Sequence, residues 1–475
     1  MTLRNHKWLV FAVVATGVFM STLDSSMVNI ALPAIMADLK SPLHLTEWVV
    51  MIYLLTITAT LLLWGHLGDM FGPGRFYAGG MVLFAIGSLA CSMAQTLAWL
   101  IAARLLQAMG AAMMMAIGPA LISKAFPVHQ LGRGFGLIGV AVSLGLMTGP
   151  VVGGLLLEVA SWRLLFLITV PVGGLCALLS LLVLPLAGDP RPAGPFDWSG
   201  SICMIAGLIL LSLTVNQATA AAWSVSRLAP LLTGTLLATF LFLQAENRAL
   251  TPLLPMGLLR ERFFMSALTS AVLSFVTLFA VIVLIPFYLD RILRLPSASI
   301  GLVMLAIPAT VLVVAPVAGW LSDQVGGRLL TTAGLVLSTT GLLLLAGLTP
   351  HASPAGVALR LVFLGTGQAM FLAPNSATVL GRVKNRHAGI SAALLATARN
   401  LGMLLGTGLA FFVFSLVFGR RTNGLDMKDF TPAQTDAFMA GLAAAFLVAA
   451  ALGGAATIIS WRRGPDERRL ADAQA

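Results

Sequence analysis

The segment GHLGDMFGPGR, residues 65–75, follows one apolar stretch of the chain, and its pattern returns as GWLSDQVGGR at residues 319–328. Both copies hold G-x-L-x-D in the same frame, 254 residues apart. A second matching pair lies near that offset: ARLLQAMGAAMMMAIGP, which contains Arg104, and LRLVFLGTGQAMFLAP, which contains Arg360. Two matches in one order at one spacing indicate that the chain consists of two duplicated halves.

The composition is that of a membrane protein. Of the 475 residues, 59% are hydrophobic and only 9% are charged, whereas soluble domains carry about 25% charged residues. Apolar stretches long enough to cross a hydrocarbon core of about 30 Å as helices recur along the whole chain. The fourteen predicted spans lie near residues 8–34, 46–65, 76–95, 98–121, 134–157, 163–185, 198–218, 228–245, 264–289, 299–320, 329–349, 355–379, 387–418 and 437–460.

The distribution of basic residues predicts the orientation of these spans. Of the 28 Lys and Arg residues, 17 fall on the side of the N-terminus, eight fall on the opposite side and three lie within spans. By the positive-inside rule, both termini are therefore predicted to be cytoplasmic. The net charge of +11 is scattered between apolar stretches and is not clustered with aromatic residues, so no nucleic-acid partner is expected.

The repeat predicts an all-α membrane protein with three parts. Residues 1–187 would form one six-helix bundle, residues 188–261 an insert of two helices with linkers, and residues 262–475 a second six-helix bundle with a short cytoplasmic tail. Two pseudosymmetric halves are typical of transporters that work by alternating access and bind substrate near the membrane midplane. A receptor or a structural bundle with an accidental repeat is the alternative.

An acidic residue stands inside the first span, in LDSSMVNIALP at residues 23–33. Of the 17 acidic residues, Asp24 is the only one that this assignment places well inside a span, and such a group is a functional hypothesis by default. Arg104, in RLLQAMGAA of the fourth span, is the obvious partner because a guanidinium stays charged. A carboxylate that merely joins two helices, and an arginine that extends to the interface, are the alternatives.

The fifth span contains GLMTGPVVGG, residues 145–154. Small residues let helix backbones approach closely, and proline bends a helix by removing a backbone donor. The segment therefore predicts a pliant, tightly packed seam, although an ordinary packing face is the simpler reading. The residues concerned are Gly145, Gly149, Pro150, Gly153 and Gly154.

The two repeated loops predict a pair of cytoplasmic gates. In each, a carboxylate can face helix N-termini and cationic side chains, which is a favourable electrostatic arrangement. The first gate comprises Gly65, Asp69, Gly72 and Arg75, and the second comprises Gly319, Asp323, Gly326 and Arg328.

These segments resemble the major facilitator superfamily and, within it, the 14-span drug:proton antiporter family, across essentially the whole chain. LDSSMVNIALP is similar to that family's first-helix signature, with Ser26 where threonine is usual, and GLMTGPVVGG matches its antiporter motif. RLLQAMGAA resembles its fourth-helix motif, with Ala108 in place of a glycine. The first loop departs from the pattern at Met70 and Pro73, where basic residues are usual. The resemblance implies a proton-coupling or substrate-sensing role for Asp24 and favours export over uptake.

Several polar, methionine and phenylalanine side chains within spans are candidates for a substrate cavity, because methionine and phenylalanine adapt to varied apolar ligands. The same residues would serve equally as ordinary core. The candidates are Asn29, Tyr53, Thr56, Gln107, Met115, Phe275, Phe279, Asn375, Arg399 and Asn400.

No catalytic or metal site is predicted, since the six histidines are dispersed and the three cysteines lie singly in apolar stretches. We therefore expect no cofactor and a non-enzymatic function.

The sequence thus predicts a multi-pass protein of the bacterial inner membrane that exports lipophilic or cationic drug-like molecules in exchange for protons. Its expected partners are protons, these substrates and the lipid bilayer. The sequence leaves the oligomeric state open, with a monomer as one option. A dedicated exporter of one metabolite, antibiotic or siderophore is the alternative within the same class. A proton or sugar symporter, a membrane enzyme and a non-transporting sensor are the further alternatives.

Overall fold

The computed structural model describes residues 7–126, 131–184, 198–219, 225–248, 261–382, 388–425 and 427–463. Within these ranges, thirteen helices are long and apolar enough to cross a membrane. The position of the seventh predicted span holds a helix at Trp198–Thr219, whose apolar part is the shorter Trp198–Thr214. The predicted all-α membrane fold is therefore confirmed, while the cytoplasmic placement of both termini stays a prediction of the charge distribution.

The chain divides into two compact units, Met1–Leu254 and Pro255–Ala475, called unit 1 and unit 2 below. In unit 1, α1 packs on α6, α4 packs on both α5 and α8, and α3 packs on α5. Helices α9 and α10 pack on each other, and α9 also contacts α3. The helices are α1 Lys7–Asp38, α2 Leu43–Thr46, α3 Trp48–Phe71, α4 Pro73–Ser92, α5 Leu97–Ala125, α6 Leu131–Val159, α7 Arg163–Leu167, α8 Thr169–Val183, α9 Trp198–Thr219 and α10 Val225–Arg248.

Unit 2 repeats this packing with its own helices. Here α11 packs on α16, α14 packs on both α15 and α17, and α13 packs on α15. A π-helical turn, Tyr288–Ile292, extends α11. The helices are α11 Arg262–Phe287, α12 Ser297–Met304, α13 Ala306–Val325, α14 Gly327–Ala346, α15 Pro354–Arg382, α16 Ala388–Arg421 and α17 Thr435–Arg462. The predicted division into two bundles and a separate insert stays a prediction.

Glycines reproduce the repeat at atomic detail. A Cβ on Gly110 of α5 would overlap the backbone of α4 at Gly80, and a Cβ on Gly367 of α15 would lie 2.5 Å from the carbonyl oxygen of Gly334 on α14. Both helix pairs therefore cross where only a hydrogen atom fits. Because the two crossings have the same geometry, they show which residue of unit 1 corresponds to which residue of unit 2. This correspondence does not depend on sequence identity.

Each repeated loop is a one-residue turn between two helices. Gly72 ends α3 and begins α4 with a φ of 105°, and Gly326 ends α13 and begins α14 with a φ of 98°. Side chains disfavour this region of backbone space, which explains glycine at both positions.

Candidate functional site

The two charged side chains predicted to pair do so inside unit 1. Asp24, near the middle of α1, and Arg104, in the second turn of α5, are 0% and 1% exposed. Nη1 of Arg104 donates a short hydrogen bond to Oδ2 of Asp24. A buried arginine needs an anion beside it, and the carboxylate supplies that charge. Arg104 therefore does not extend to the membrane interface.

Gln107 joins the other oxygen of the same carboxylate. Its Nε2 donates to Oδ1 of Asp24 at 2.8 Å and to Oγ of Ser88 at 2.8 Å, while its Oε1 accepts from Nη1 of Arg104 at 2.6 Å. All four side chains are buried. Both carboxylate oxygens are thus occupied, and the ion pair is held by helices α1, α4 and α5. We call these four residues the charged cluster.

Helix α3 completes the surroundings of the guanidinium. Nε of Arg104 donates to the carbonyl oxygen of Val49 at 3.0 Å, and Cζ lies 4.1 Å from the ring centroid of Tyr53. The hydroxyl of Tyr53 is bonded in turn to Oγ of Ser21 on α1 at 2.9 Å. The aromatic face and the backbone acceptor both favour the cation. Arg104 thus has favourable contacts on α3 in addition to the carboxylate of Asp24.

The glycines of the fifth-span motif lie against the same segment of α1 that carries Asp24. A Cβ on Gly149 would overlap Oγ of Ser26 and lie 3.1 Å from the carbonyl oxygen of Leu23, and a Cβ on Gly145 would lie 2.8 Å from the carbonyl oxygen of Phe19. Gly153 continues this face of α6 against Met27, and Pro150 and Gly154 are buried beside it. The predicted seam is therefore the α1–α6 contact, directly behind the charged cluster.

A second ionic contact ties α1 to α7. Oδ2 of Asp38 accepts from Nη1 of Arg163 at 2.9 Å and from Nε1 of Trp162 at 3.0 Å. Nη2 of Arg163 also donates to the carbonyl oxygen of Ala94 at 2.8 Å, at the α4–α5 connection. The side chains of Asp38 and Arg163 are 48% and 32% exposed. This pair therefore contrasts with the buried pair of the charged cluster.

The two gating loops are described through their backbones. Gly72 and Gly326 form the turns given above, and Gly65 and Gly319 lie in α3 and α13. Arg75 is exposed, while Arg328 lies 4.7 Å from the ring centroid of Trp461 on α17. The side chains of Asp69 and Asp323 lie outside the described part of the chain, so the predicted contacts of these carboxylates stay predictions.

The ten predicted cavity residues divide evenly between the units. Tyr53 and Gln107 belong to the charged cluster or contact it, and Met115 lies 3.6 Å from the hydroxyl of Ser21. Asn29 and Asn400 are almost fully buried, yet Oδ1 of Asn29 and Nδ2 of Asn400 have no hydrogen-bond partner among the described residues. Buried polar atoms without a protein partner are sites where water or a ligand binds.

The remaining cavity candidates lie away from the charged cluster or in unit 2. Phe275 packs against Gly402 at the α11–α16 seam, and Asn375 bonds to Arg463. Arg399 is half-buried, and Thr56 and Phe279 are buried. A role in substrate binding stays a prediction for all ten residues.

Unit 2 carries no charge at the positions that correspond to the charged cluster. A Cβ on Gly149 would lie close to the carbonyl oxygen of Leu23, and a Cβ on Gly406 would lie close to that of Val276. Leu23 therefore corresponds to Val276, and the next residue, Asp24, corresponds to Thr277. The glycine contacts between α14 and α15 align Leu361 with Arg104 and Leu364 with Gln107. Thr277 donates to the carbonyl oxygen of Ser274, and both leucines are buried. Among the described residues, a buried pair of this kind is found in unit 1 and not at the corresponding positions of unit 2.

The contacts also correct two readings of the sequence. The sequence match aligned Arg360 with Arg104, but the glycine register places Leu361 there, one residue later. Glu47, at the N-cap of α3, is a second fully buried carboxyl group within the candidate span Leu43–Leu61. Glu47 lies at the short interruption between α2 and α3, where its side chain is buried. The apolar pattern of the sequence did not predict this interruption.

We expect Gln107→Leu to weaken the protein and to alter its proton affinity, because the substitution removes the donor to Oδ1 of Asp24 and to Ser88. Leaving buried acceptors unsatisfied costs about 1–3 kcal/mol. Thermal unfolding in detergent measures the loss, and the pH dependence of proton release measures the second effect. Gln368→Leu is the matched control, since Gln368 is a buried amide bonded to Ser274 in unit 2. A pH profile that moves equally in both variants would contradict the assignment.

Comparison with known proteins agrees with this fold. The family profile described as Major Facilitator Superfamily matches residues 14–407 and 267–474. The chain is 33% identical to the riboflavin transporter RibZ of Clostridioides difficile (strain 630) over 88% of this chain and 91% of that protein. It is 30% identical to the multidrug resistance protein Stp of Mycobacterium tuberculosis (strain CDC 1551 / Oshkosh), over 82% of this chain and 72% of that protein.

A solved structure gives the same architecture. The crystal structure of a bacterial homolog to the human lysosomal transporter Spinster, in an inward-facing and occupied conformation, matches with a TM-score of 0.67. The match covers 96% of each chain at 14% sequence identity, so it supports the fold alone.

Proposed function

The chain belongs to the Major Facilitator Superfamily, and we propose that it exports lipophilic or cationic drug-like molecules in exchange for protons. Transport across a membrane by a multi-pass protein is the common ground of the family and of the relatives named above. The observation that carries the proton-coupled part is the buried pair of Asp24 and Arg104. Asp24 has one ionic partner among the described residues, and helices α1, α4 and α5 set the position of its carboxyl group.

In the proposed cycle, a proton binds Asp24 and removes the negative charge beside Arg104. The guanidinium then keeps Gln107 Oε1, the Val49 carbonyl and the Tyr53 ring as its contacts. Helix α1 loses its ionic link to α5 but stays packed on α6 through the glycine seam. Protonation would therefore loosen one side of α1 only. Release of the proton restores the pair and the original helix arrangement.

The driving force is adequate for export. A membrane potential of 100 mV supplies roughly 2.3 kcal/mol per charge moved. Because each 1.4 kcal/mol corresponds to about a tenfold ratio, one proton exchanged for one neutral molecule sustains a substrate gradient of roughly fifty-fold before any pH difference adds to it. Exchange of one proton for one monovalent cation moves no net charge, so the pH difference alone drives it.

The proposal is tested with purified protein in vesicles that contain a pH-sensitive dye. We expect several unrelated lipophilic cations each to cause proton movement opposite in direction to their own. Substrate accumulation driven by a proton gradient of the same direction would contradict antiport.

The bacterial inner membrane stays the proposed location, and fractionation of expressing cells tests it.

A dedicated transporter of one metabolite is the second candidate. The observation that favours it is the 33% identity to a protein named as a riboflavin transporter. The same vesicles decide between the two: transport of riboflavin, together with no response to the unrelated cations, would establish the dedicated function. Response to several cations and none to riboflavin would support the broad exporter.

A further inference from the structure

Arg360 stands in a different setting from the buried arginine of unit 1. It is the seventh residue of α15, so it lies about 9 Å along the helix from its first residue. The side chain is half-buried, and it forms no ion pair or hydrogen bond with the residues that the structure describes. Tyr288 lies near Arg360, but its hydroxyl group donates a hydrogen bond to the carbonyl oxygen of Thr349 at 2.7 Å. The guanidinium therefore still needs an anion or water.

Arg360 lines a surface groove of about 380 Å³. Polar residues of the α14–α15 connection, Thr349 and Ser353, also line it. Its apolar lining comes from Leu344 of α14 together with Leu359 and Phe363 of α15, which are 40%, 59% and 37% exposed. In a membrane-spanning helix, apolar side chains this exposed face acyl chains. The groove thus combines one cation and two hydroxyl side chains with apolar side chains that are open to the surface.

We infer that this groove binds one phospholipid with an anionic headgroup, with the lipid phosphate on Arg360 and an acyl chain along Leu359 and Phe363. A guanidinium recognises phosphate through two parallel hydrogen bonds, which suits a single unpaired arginine. No aspartate or glutamate lines the groove, so the ammonium of a zwitterionic headgroup would find no carboxylate there. The apolar walls favour a lipid over a free phosphate ion, which would use only the arginine.

The lipid site is independent of the proposed function, because binding is measured without substrate or a proton gradient. Purified full-length protein in detergent is titrated with phosphatidylglycerol, and the bound lipid is counted by native mass spectrometry. We expect Arg360→Gln to weaken retention about tenfold, since hydrogen bonds to charged groups contribute roughly that factor. Arg294→Gln is the matched control, as Arg294 is exposed in the connection between α11 and α12. Unchanged retention in Arg360→Gln, or equal loss in both variants, would overturn the inference.

Further variants and ligands test whether the bound phosphate belongs to a lipid or to a free ion, and whether the apolar lining contributes to binding. Leu359→Trp fills part of the apolar lining of the groove and keeps Arg360, so it is also expected to reduce lipid retention. Phosphatidylethanolamine is expected to bind several-fold more weakly than phosphatidylglycerol. Displacement of the lipid by millimolar inorganic phosphate would overturn the lipid assignment in favour of an ion site. Should Arg360→Gln fail to fold, Arg360→Lys serves, with retention expected between that of wild type and zero, and retention equal to wild type counting against the two-bond contact.

Discussion

Asp24→Asn is expected to abolish substrate-dependent proton movement. The amide cannot take up and release a proton in the range where a carboxyl group does, and no other carboxyl group pairs with Arg104 among the described residues. The measurement is dye-reported proton movement in vesicles after addition of a transported cation. Asp38→Asn is the matched control, because it changes the same chemical group in the half-exposed contact with Arg163 and Trp162. Coupling that survives in Asp24→Asn would refute the assigned role.

The same substitution is expected to lower stability, since it leaves Arg104 buried without an anion. Removing one partner of a buried ion pair typically costs about 3–5 kcal/mol. Arg104→Gln alone should cost a similar amount for the mirror reason. The double variant Asp24→Asn with Arg104→Gln removes both charges, and we expect its unfolding midpoint to lie above those of the single variants while proton movement stays absent. A double variant as unstable as the sum of the singles would show that the two charges do not interact.

Gly149→Val is expected to reduce transport by about tenfold or more. Cβ of the new side chain would lie 2.8 Å from Cβ of Ser26 and 3.1 Å from the carbonyl oxygen of Leu23, and rotation of the Ser26 hydroxyl relieves neither contact. Helices α1 and α6 must therefore shift along the segment that carries Asp24. Overpacking of this kind costs about 1–3 kcal/mol or more, and each 1.4 kcal/mol is a tenfold change. Transport rate and thermal unfolding are measured together. Because the displaced segment of α1 carries Asp24, its contacts with Arg104 and Gln107 change, and we also expect weaker coupling of protons to the substrate that is still moved.

Gly174→Val supplies the control for this prediction. Gly174 lies within α8 of the same unit, and a Cβ there would meet no atom within 4 Å. Its substitution adds the same side chain to a helix without filling a contact. Equal losses in the two variants would mean that valine disturbs the helices themselves and that the α1–α6 seam has no special role.

The pairing of Asp24 with Arg104 could be predicted because each charge on its own is costly inside a membrane, and each was the other's most plausible partner. Ser88 and the carbonyl of Val49 could not, because their part depends on how closely α3 and α4 approach α5. That approach is set by glycines such as Gly87, where a Cβ would lie 2.5 Å from the backbone of Gln107. Distances of this size follow from packed helices and are not visible in a hydropathy pattern.

The number and order of spans followed well from the sequence, because length and apolarity alone identify a helix that crosses a membrane. The interruptions inside spans did not. Span 6 breaks at Ile168 into α7 and α8, and span 10 breaks at Leu305 into α12 and α13, although both stretches are apolar throughout. Glu47 was missed for the same reason, as it stands at such an interruption. Local breaks of this kind depend on neighbouring helices, which a single-sequence pattern does not contain.

The neutral positions Thr277, Leu361 and Leu364 have a consequence for how such proteins diverge. Two copies of a charged pair would place two sets of buried charges under constraint, one in each unit. Under the proposed proton coupling, residues of unit 2 can be exchanged without disturbing the pair of Asp24 and Arg104. We therefore expect directed evolution toward new substrates to accumulate most of its tolerated mutations in unit 2, while the charged cluster of unit 1 is retained.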